Sequence, residues 1–116
     1  MSDGFPEVGI WQSRHSLKVL DVRDWSTDNG APIQQWDWHG GNNQRFWIDD
    51  VGGDLFALRS VHSGKVLDVS GWSADNGAPI QQWDMHGGNN QLWQIVMPSP
   101  RPASRPEGTV LFDEEP

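Results

Sequence analysis

An all-β fold is predicted by three features of this 116-residue chain: a long internal duplication, short alternating apolar and polar runs cut by glycine, proline and asparagine, and the lack of any helical apolar stripe. Residues 15–48, HSLKVLDVRDWSTDNGAPIQQWDWHGGNNQRFWI, return 47 residues later as residues 62–95, HSGKVLDVSGWSADNGAPIQQWDMHGGNNQLWQI, with 26 of the 34 positions unchanged. Self-similarity at a fixed period marks a repeat architecture. The retained positions include polar residues, among them Asp21/Asp68, Gln34/Gln81 and Asn43/Asn90. The duplication therefore copies a site as well as a scaffold, and two equivalent binding sites are expected.

Each element follows from its residues. Lys18–Val22 and Lys65–Val69 alternate in polarity with the period of a half-buried strand, which places Asp21 and Asp68 near strand ends. Asp28-Asn29-Gly30 and Asp75-Asn76-Gly77 carry the Asn-Gly pair that a tight hairpin turn favours. The strand Ala31–Trp36 starts with Pro32, a residue tolerated at a strand start or edge. His39–Asn43 reads as a loop, after which Gln44–Ile48 and Gln91–Ile95 resume strands. Leu55–Leu58 aligns with Val8–Trp11, so each repeat is expected to hold about four short strands. The repeats occupy about residues 8–54 and 55–97. Residues 98–106 form a proline-rich linker by composition, residues 108–112 are a candidate further strand, and residues 113–116 an acidic solvated tail.

Composition narrows the function classes. The chain fits one small domain. It has no cysteine, so neither disulfides nor thiol chemistry is available, and eight tryptophans must help supply the core. A formal net charge of -8 with scattered basic residues argues against nucleic acid, whose phosphates need clustered Lys and Arg. No apolar run approaches the roughly 18 residues of a membrane span, and the N-terminus lacks the pattern of a signal peptide. A cytoplasmic or unconventionally exported product without membrane insertion is expected.

The ordered set LDV, DNGAPIQQW and HGGNNQ followed by an aromatic, present twice, resembles the ricin B-type lectin repeat. Gln91-Leu92-Trp93 matches its QxW signature, and Gln44-Arg45-Phe46 is a conservative departure. The resemblance covers roughly residues 8 to 97 and implies a β-trefoil built from such repeats, with non-catalytic carbohydrate binding in shallow pockets and no cofactor. Galactose or N-acetylgalactosamine is the ligand class it favours. Carried over position by position, it implies sugar contacts from Asp21, Gln34, Trp36, His39, Asn43 and Gln44, and from Asp68, Gln81, Trp83, His86, Asn90 and Gln91.

These residue types suit a sugar on physical grounds. A sugar ring presents vicinal hydroxyls at its edge and C–H groups on its face. Asp21 can accept from neighbouring hydroxyls, Asn43 can donate and accept, and His39 offers a ring nitrogen. Trp36, leading into a glycine loop, offers a half-exposed stacking plate. Gln44 and Gln91 can equally orient the site from beneath it. Phe46 and Trp93 are expected in the core, whereas Trp25 and Trp72 could extend a sugar site or mediate association.

Other chemistries fit poorly. The oxygen-rich segment Asp24–Gly30 resembles a calcium loop, but Gly71 stands where Asp24 would repeat. The histidines do not match zinc-cluster spacing, and Asp21 and Asp68 belong to separate repeats rather than one glycosidase pair. No enzyme is expected. The two repeats leave a three-lobed trefoil one lobe short, with exposed edges and an open core. Homo-oligomerisation, in which three chains supply six repeats to two trefoils, is the favoured solution. A degenerate third lobe from the chain ends, or a separate partner, would also fill the gap. An interaction or oligomerisation module without sugar binding is the competing reading.

Overall fold

A computed structural model describes residues 7–96. The linker, the candidate strand 108–112 and the acidic tail lie outside the described residues. Seven strands form: β1 (Glu7–Gly9), β2 (Val19–Val22), β3 (Ile33–Trp36), β4 (Phe46–Gly52), β5 (Leu55–Ser60), β6 (Val66–Val69) and β7 (Ile80–Trp83). The remaining regular pieces are 3-10 turns at Arg23–Trp25, Asn42–Gln44, Ser70–Trp72 and Asn89–Gln91, so the described residues are all-β as predicted. None of these helical turns is long and apolar enough to cross a membrane.

The duplication shows directly in the pairing. β2 and β3 are antiparallel with Val19 opposite Trp36 and Asp21 opposite Gln34; β6 and β7 repeat this with Val66 opposite Trp83 and Asp68 opposite Gln81. β4 and β5 form a hairpin through Gly52, Gly53 and Asp54, and β1 pairs with β4. Strand order is β1-β4-β5-β6-β7 in one sheet and β2-β3 in the other. Buried Val22, Ala31, Phe46, Leu58 and Leu67 form the core, and Leu20, Ile33, Ile48, Ile80 and Trp93 pack against it only partly buried. Phe46 is fully enclosed, as expected at its position; Trp93 reaches the core and donates Nε1–H to the Leu67 carbonyl at 3.3 Å.

Several sequence expectations are corrected. The first repeat has four strands, but in the second the segment 91–95 contributes a single bridge, Trp93 to Phe56. In the first copy this segment grows into the β4–β5 hairpin, whereas here Phe56 is its sole bridge partner among the described residues. Gln44 and Gln91 belong to 3-10 turns rather than strands. β1 stops at Gly9, short of Trp11, because its register against β4 ends at Phe46. Asn29-Gly30 does make a turn, with Ala31 N–H donating to the Asp28 carbonyl at 3.4 Å, but it does not join the strands directly: residues 23–32 make a wide excursion between β2 and β3, in which Gly30 takes the positive φ of +92° and Asn29 turns outward to the other lobe.

That excursion joins the lobes. Gln82, fully buried on β7, donates from Nε2 to the carbonyls of Ser26 and Asp28, both at 2.9 Å. Its backbone carbonyl accepts from Gly30 N–H and its N–H donates to Ala31. Asn29 completes the latch, donating from Nδ2 to Asp84 Oδ2 at 3.1 Å and accepting from Asp84 N–H at 2.8 Å.

The bond from Asn29 and then that from Lys65 hold the Asp84 carboxyl below its ordinary pKa. A carboxyl lowered by folding contributes stability that is full above the unfolded pKa and is lost as pH falls through the folded one. The difference in urea midpoint between wild type and Asp84→Ala is therefore expected to hold at neutral pH and to shrink below about pH 4.

Candidate functional site

Each repeat builds a pocket around its aspartate. Cross-strand register brings Gln34 to Asp21, and Gln34 Nε2 donates to Oδ1 at 3.0 Å. The 3-10 turn at 42–44 delivers two more donors. Gln44 Nε2 reaches Oδ2 at 2.9 Å and the Asp37 carbonyl at 2.8 Å, while Asn43 Nδ2 bonds the Val22 carbonyl at 3.0 Å and lies 3.5 Å from Oδ2. The second repeat matches it: Gln81 to Asp68 at 3.0 Å, Gln91 to Asp68 at 2.9 Å, and Asn90 to Asp68 and Val69, each at 3.2 Å. Both aspartates are buried, and amide donors fix their carboxylates in place. A carboxylate has about four acceptor positions, so each keeps capacity for a ligand donor.

The histidines stand over these carboxylates. His39 Nε2 is 3.9 Å from Asp21 Oδ2, and His86 Nε2 is 3.9 Å from Asp68 Oδ2. In each ring Nδ1 accepts a backbone N–H, from Gly41 and Gly88 respectively, at 3.1 Å. That bond leaves Nε2 to carry the proton in the neutral ring and points a donor at the carboxylate side of the pocket. Gln44 Oε1 and Gln91 Oε1 accept from the N–H groups of His39 and His86, tying loop to floor.

Trp25 and Trp72, left open in the sequence between a sugar site and association, form the back wall of the pockets. Trp25 stacks on His39 with centroids 5.7 Å apart and planes 22° apart; Trp72 stacks on His86 at 5.6 Å and 17°. Both tryptophans adopt left-handed φ, +55° and +56°, in which bulky side chains are uncommon. Such strain is retained where the surroundings over-determine it, typically at binding sites. Gly41 and Gly88 carried a signal for this wall. Their φ values, -80° and -71°, need no glycine, yet a Cβ on Gly41 would lie 2.5 Å from Trp25 Cη2 and 2.6 Å from His39 Cε1, and one on Gly88 would run into Trp72 and His86. Gly88→Ala is expected to splay the Trp72–His86 stack and abolish ligand binding at the second pocket while leaving the first intact. Ligand stoichiometry, with near-ultraviolet circular dichroism on the stack, checks it.

Two open pockets result. One, of about 490 Å³, is lined by Asp21, Gln34, Trp36, His39 and Asn43 together with Arg23, Asp24 and Trp25. The other, of about 460 Å³, is lined by Asp68, Gln81, Trp83, His86 and Asn90 together with Ser70, Gly71 and Trp72. Ten of the twelve residues singled out in the sequence thus line the two pockets. The other two, Gln44 and Gln91, are fully buried beneath and act on the aspartates instead of facing solvent. Trp36 and Trp83 expose their rings at the mouths. Asn43 Oδ1 and Asn90 Oδ1 are buried with no hydrogen-bond partner, an arrangement present in both copies.

The family model described as "Ricin-type beta-trefoil lectin domain-like" matches residues 6–83 and 52–105. The chain belongs to the ricin-type β-trefoil lectin family. Among solved structures this lectin-family chain is similar to ThreeFoil, a designed three-fold symmetric protein, at 40% identity and a TM-score of 0.73 over 82% of this chain and 66% of that one. It is also similar to part of an exo-β-1,3-galactanase from Clostridium thermocellum, at 35% identity and a TM-score of 0.72 over 84% of this chain and 21% of the enzyme. A 47-residue stretch, 40% of the chain, is 39% identical to the clotting factor G alpha subunit of Tachypleus tridentatus, of which it spans 7%. The trefoil expected from the sequence is therefore the architecture of this lectin-family chain, present as two lobes.

Proposed function

We propose that the protein is a non-catalytic carbohydrate-binding protein with one shallow sugar pocket per repeat. The observation that carries this reading is the duplicated constellation itself. Two copies of an amide-clamped aspartate, a histidine with Nε2–H directed toward it and an exposed tryptophan stand in the same relation in both lobes. The aspartate and asparagine engage vicinal hydroxyls, and Trp36 or Trp83 covers the C–H face of the ring.

Galactose and N-acetylgalactosamine are the proposed ligand class, a choice supported by the resemblance of the repeats and by similarity to a module-sized part of a galactanase. Hydrolysis does not follow from that similarity, because the chain spans only 21% of the enzyme and its two pocket carboxylates serve separate lobes. Binding of the wild-type chain to immobilised glycans, and its loss from folded Asp21→Ala/Asp68→Ala protein, tests the reading.

A further inference from the structure

We propose that the second lobe captures a lobe of another copy of this chain, through the same latch that joins the two lobes within one chain, and that the incoming copy completes the second pocket with its His15, or with the equivalent His62 where its second lobe arrives. This goes beyond sugar recognition and does not depend on it.

The latch has two halves. The loop half is Ser26–Pro32 of the first lobe, and the strand half is Ile80–Asp84 of the second. Both halves are written twice in the sequence: Ser73–Pro79 repeats the loop with one change, Thr27 to Ala74, and Ile33–Asp37 repeats the strand without any. The spare strand is already set for docking. Ser16 Oγ donates to Gln35 Oε1 at 2.7 Å as Ser63 Oγ does to Gln82 Oε1 at 2.8 Å, and Lys18 pairs with Asp37 as Lys65 does with Asp84. Gln82 is fully buried, whereas Gln35 is exposed and its Nε2 has no partner among the described residues. Asn76 likewise lacks the partner that Asp84 gives Asn29.

The pockets carry the same asymmetry. His62, from the second lobe, bonds the Trp25 carbonyl at 2.9 Å and meets its ring edge-on at 5.2 Å. The equivalent His15 is exposed and Trp72 has no such neighbour among the described residues, where Trp72 is 60% exposed against 47% for Trp25. An arriving first lobe would bring Gln35 and Asp37 to the Asn76 loop and His15 to Trp72 in one movement.

Closure at three lobes follows from the match to a three-fold symmetric protein, of which two lobes span 66%. The latch halves are written twice within residues 7–96, so the described residues supply two lobes. Two-lobe chains fill rings of three without remainder when three chains provide six lobes to two rings. Two chains stay closed, and the third opens at Gly52–Gly53–Asp54, the turn between its lobes, and lends one lobe to each. The interface is heterologous and closes, so it does not propagate into fibres.

Light scattering across a concentration series should give a limiting mass three times the 13.0 kDa chain. Asn76→Asp combined with Gln35→Ala should return the mass to that of one chain, with circular dichroism unchanged because both side chains lie outside the intrachain latch. In this cysteine-free sequence, Asn76→Cys/Asp37→Cys should link chains by disulfides under oxidation. A single-chain mass at every concentration, a two-chain limit, association untouched by the double variant, or no interchain link would each overturn the proposal. None of these readouts depends on sugar, so failure of the lectin reading is separately visible.

Discussion

Gln82→Ala is expected to destabilise the monomeric chain by about 3 kcal/mol, while Gln35→Ala, the same substitution at the same repeat position, costs under about 0.5 kcal/mol. Gln82 makes three side-chain hydrogen bonds in a fully buried setting, two of them to carbonyls of the other lobe. Truncation removes these bonds and leaves the Ser26 and Asp28 carbonyls without that partner. Gln35 is exposed and has one side-chain bond, accepted from half-buried Ser16 Oγ, and water replaces it readily. Urea unfolding at dilute concentration, followed by tryptophan fluorescence, measures the contrast as a fall in midpoint at constant slope. The melting temperature of Gln82→Ala should drop by on the order of 10 °C. Equal shifts in the two variants would mean that the lobes are not joined through Gln82.

Asp21→Ala/Asp68→Ala is expected to weaken sugar binding by roughly ten- to a hundredfold. A hydrogen bond to a charged acceptor contributes roughly 1.5–3 kcal/mol, and about 1.4 kcal/mol corresponds to a tenfold change in affinity. The fold should survive. Gln44 keeps the Asp37 carbonyl and Asn43 keeps the Val22 carbonyl, so only Gln34 loses its one side-chain partner, and the same holds for Gln91, Asn90 and Gln81 in the second lobe. Far-ultraviolet circular dichroism separates lost binding from lost structure. Each single variant should keep one working pocket and lose the gain that comes from linking two.

Much of the site was legible because the duplication filtered it. Asp21, Gln34, Trp36, His39 and Asn43 recur at fixed spacing, and β2–β3 register converts that spacing into one pocket. The same filter hid what the two copies do differently. Gln35 and Gln82 sit in identical strings, IQQWD, so no local reading could tell the exposed residue from the buried one; only the arrival of the Asn29 loop distinguishes them. Asn-Gly gave the turn because it is a strong local signal, but the width of the excursion around it was not legible, since the pull of Asp84 on Asn29 is tertiary. Trp25 and Trp72 lacked an assignment because their left-handed backbone has no residue signature; Gly41 and Gly88, glycines at positions whose φ does not require one, were the available clue.

The central claim is that each repeat builds a sugar pocket around its amide-clamped aspartate. Its most direct test is a glycan array probed with the wild-type chain beside folded Asp21→Ala/Asp68→Ala protein. Signal on galactose- or N-acetylgalactosamine-terminated glycans that vanishes in the double variant is the predicted result. A blank array for the folded wild type, or binding that persists without either aspartate, would contradict it.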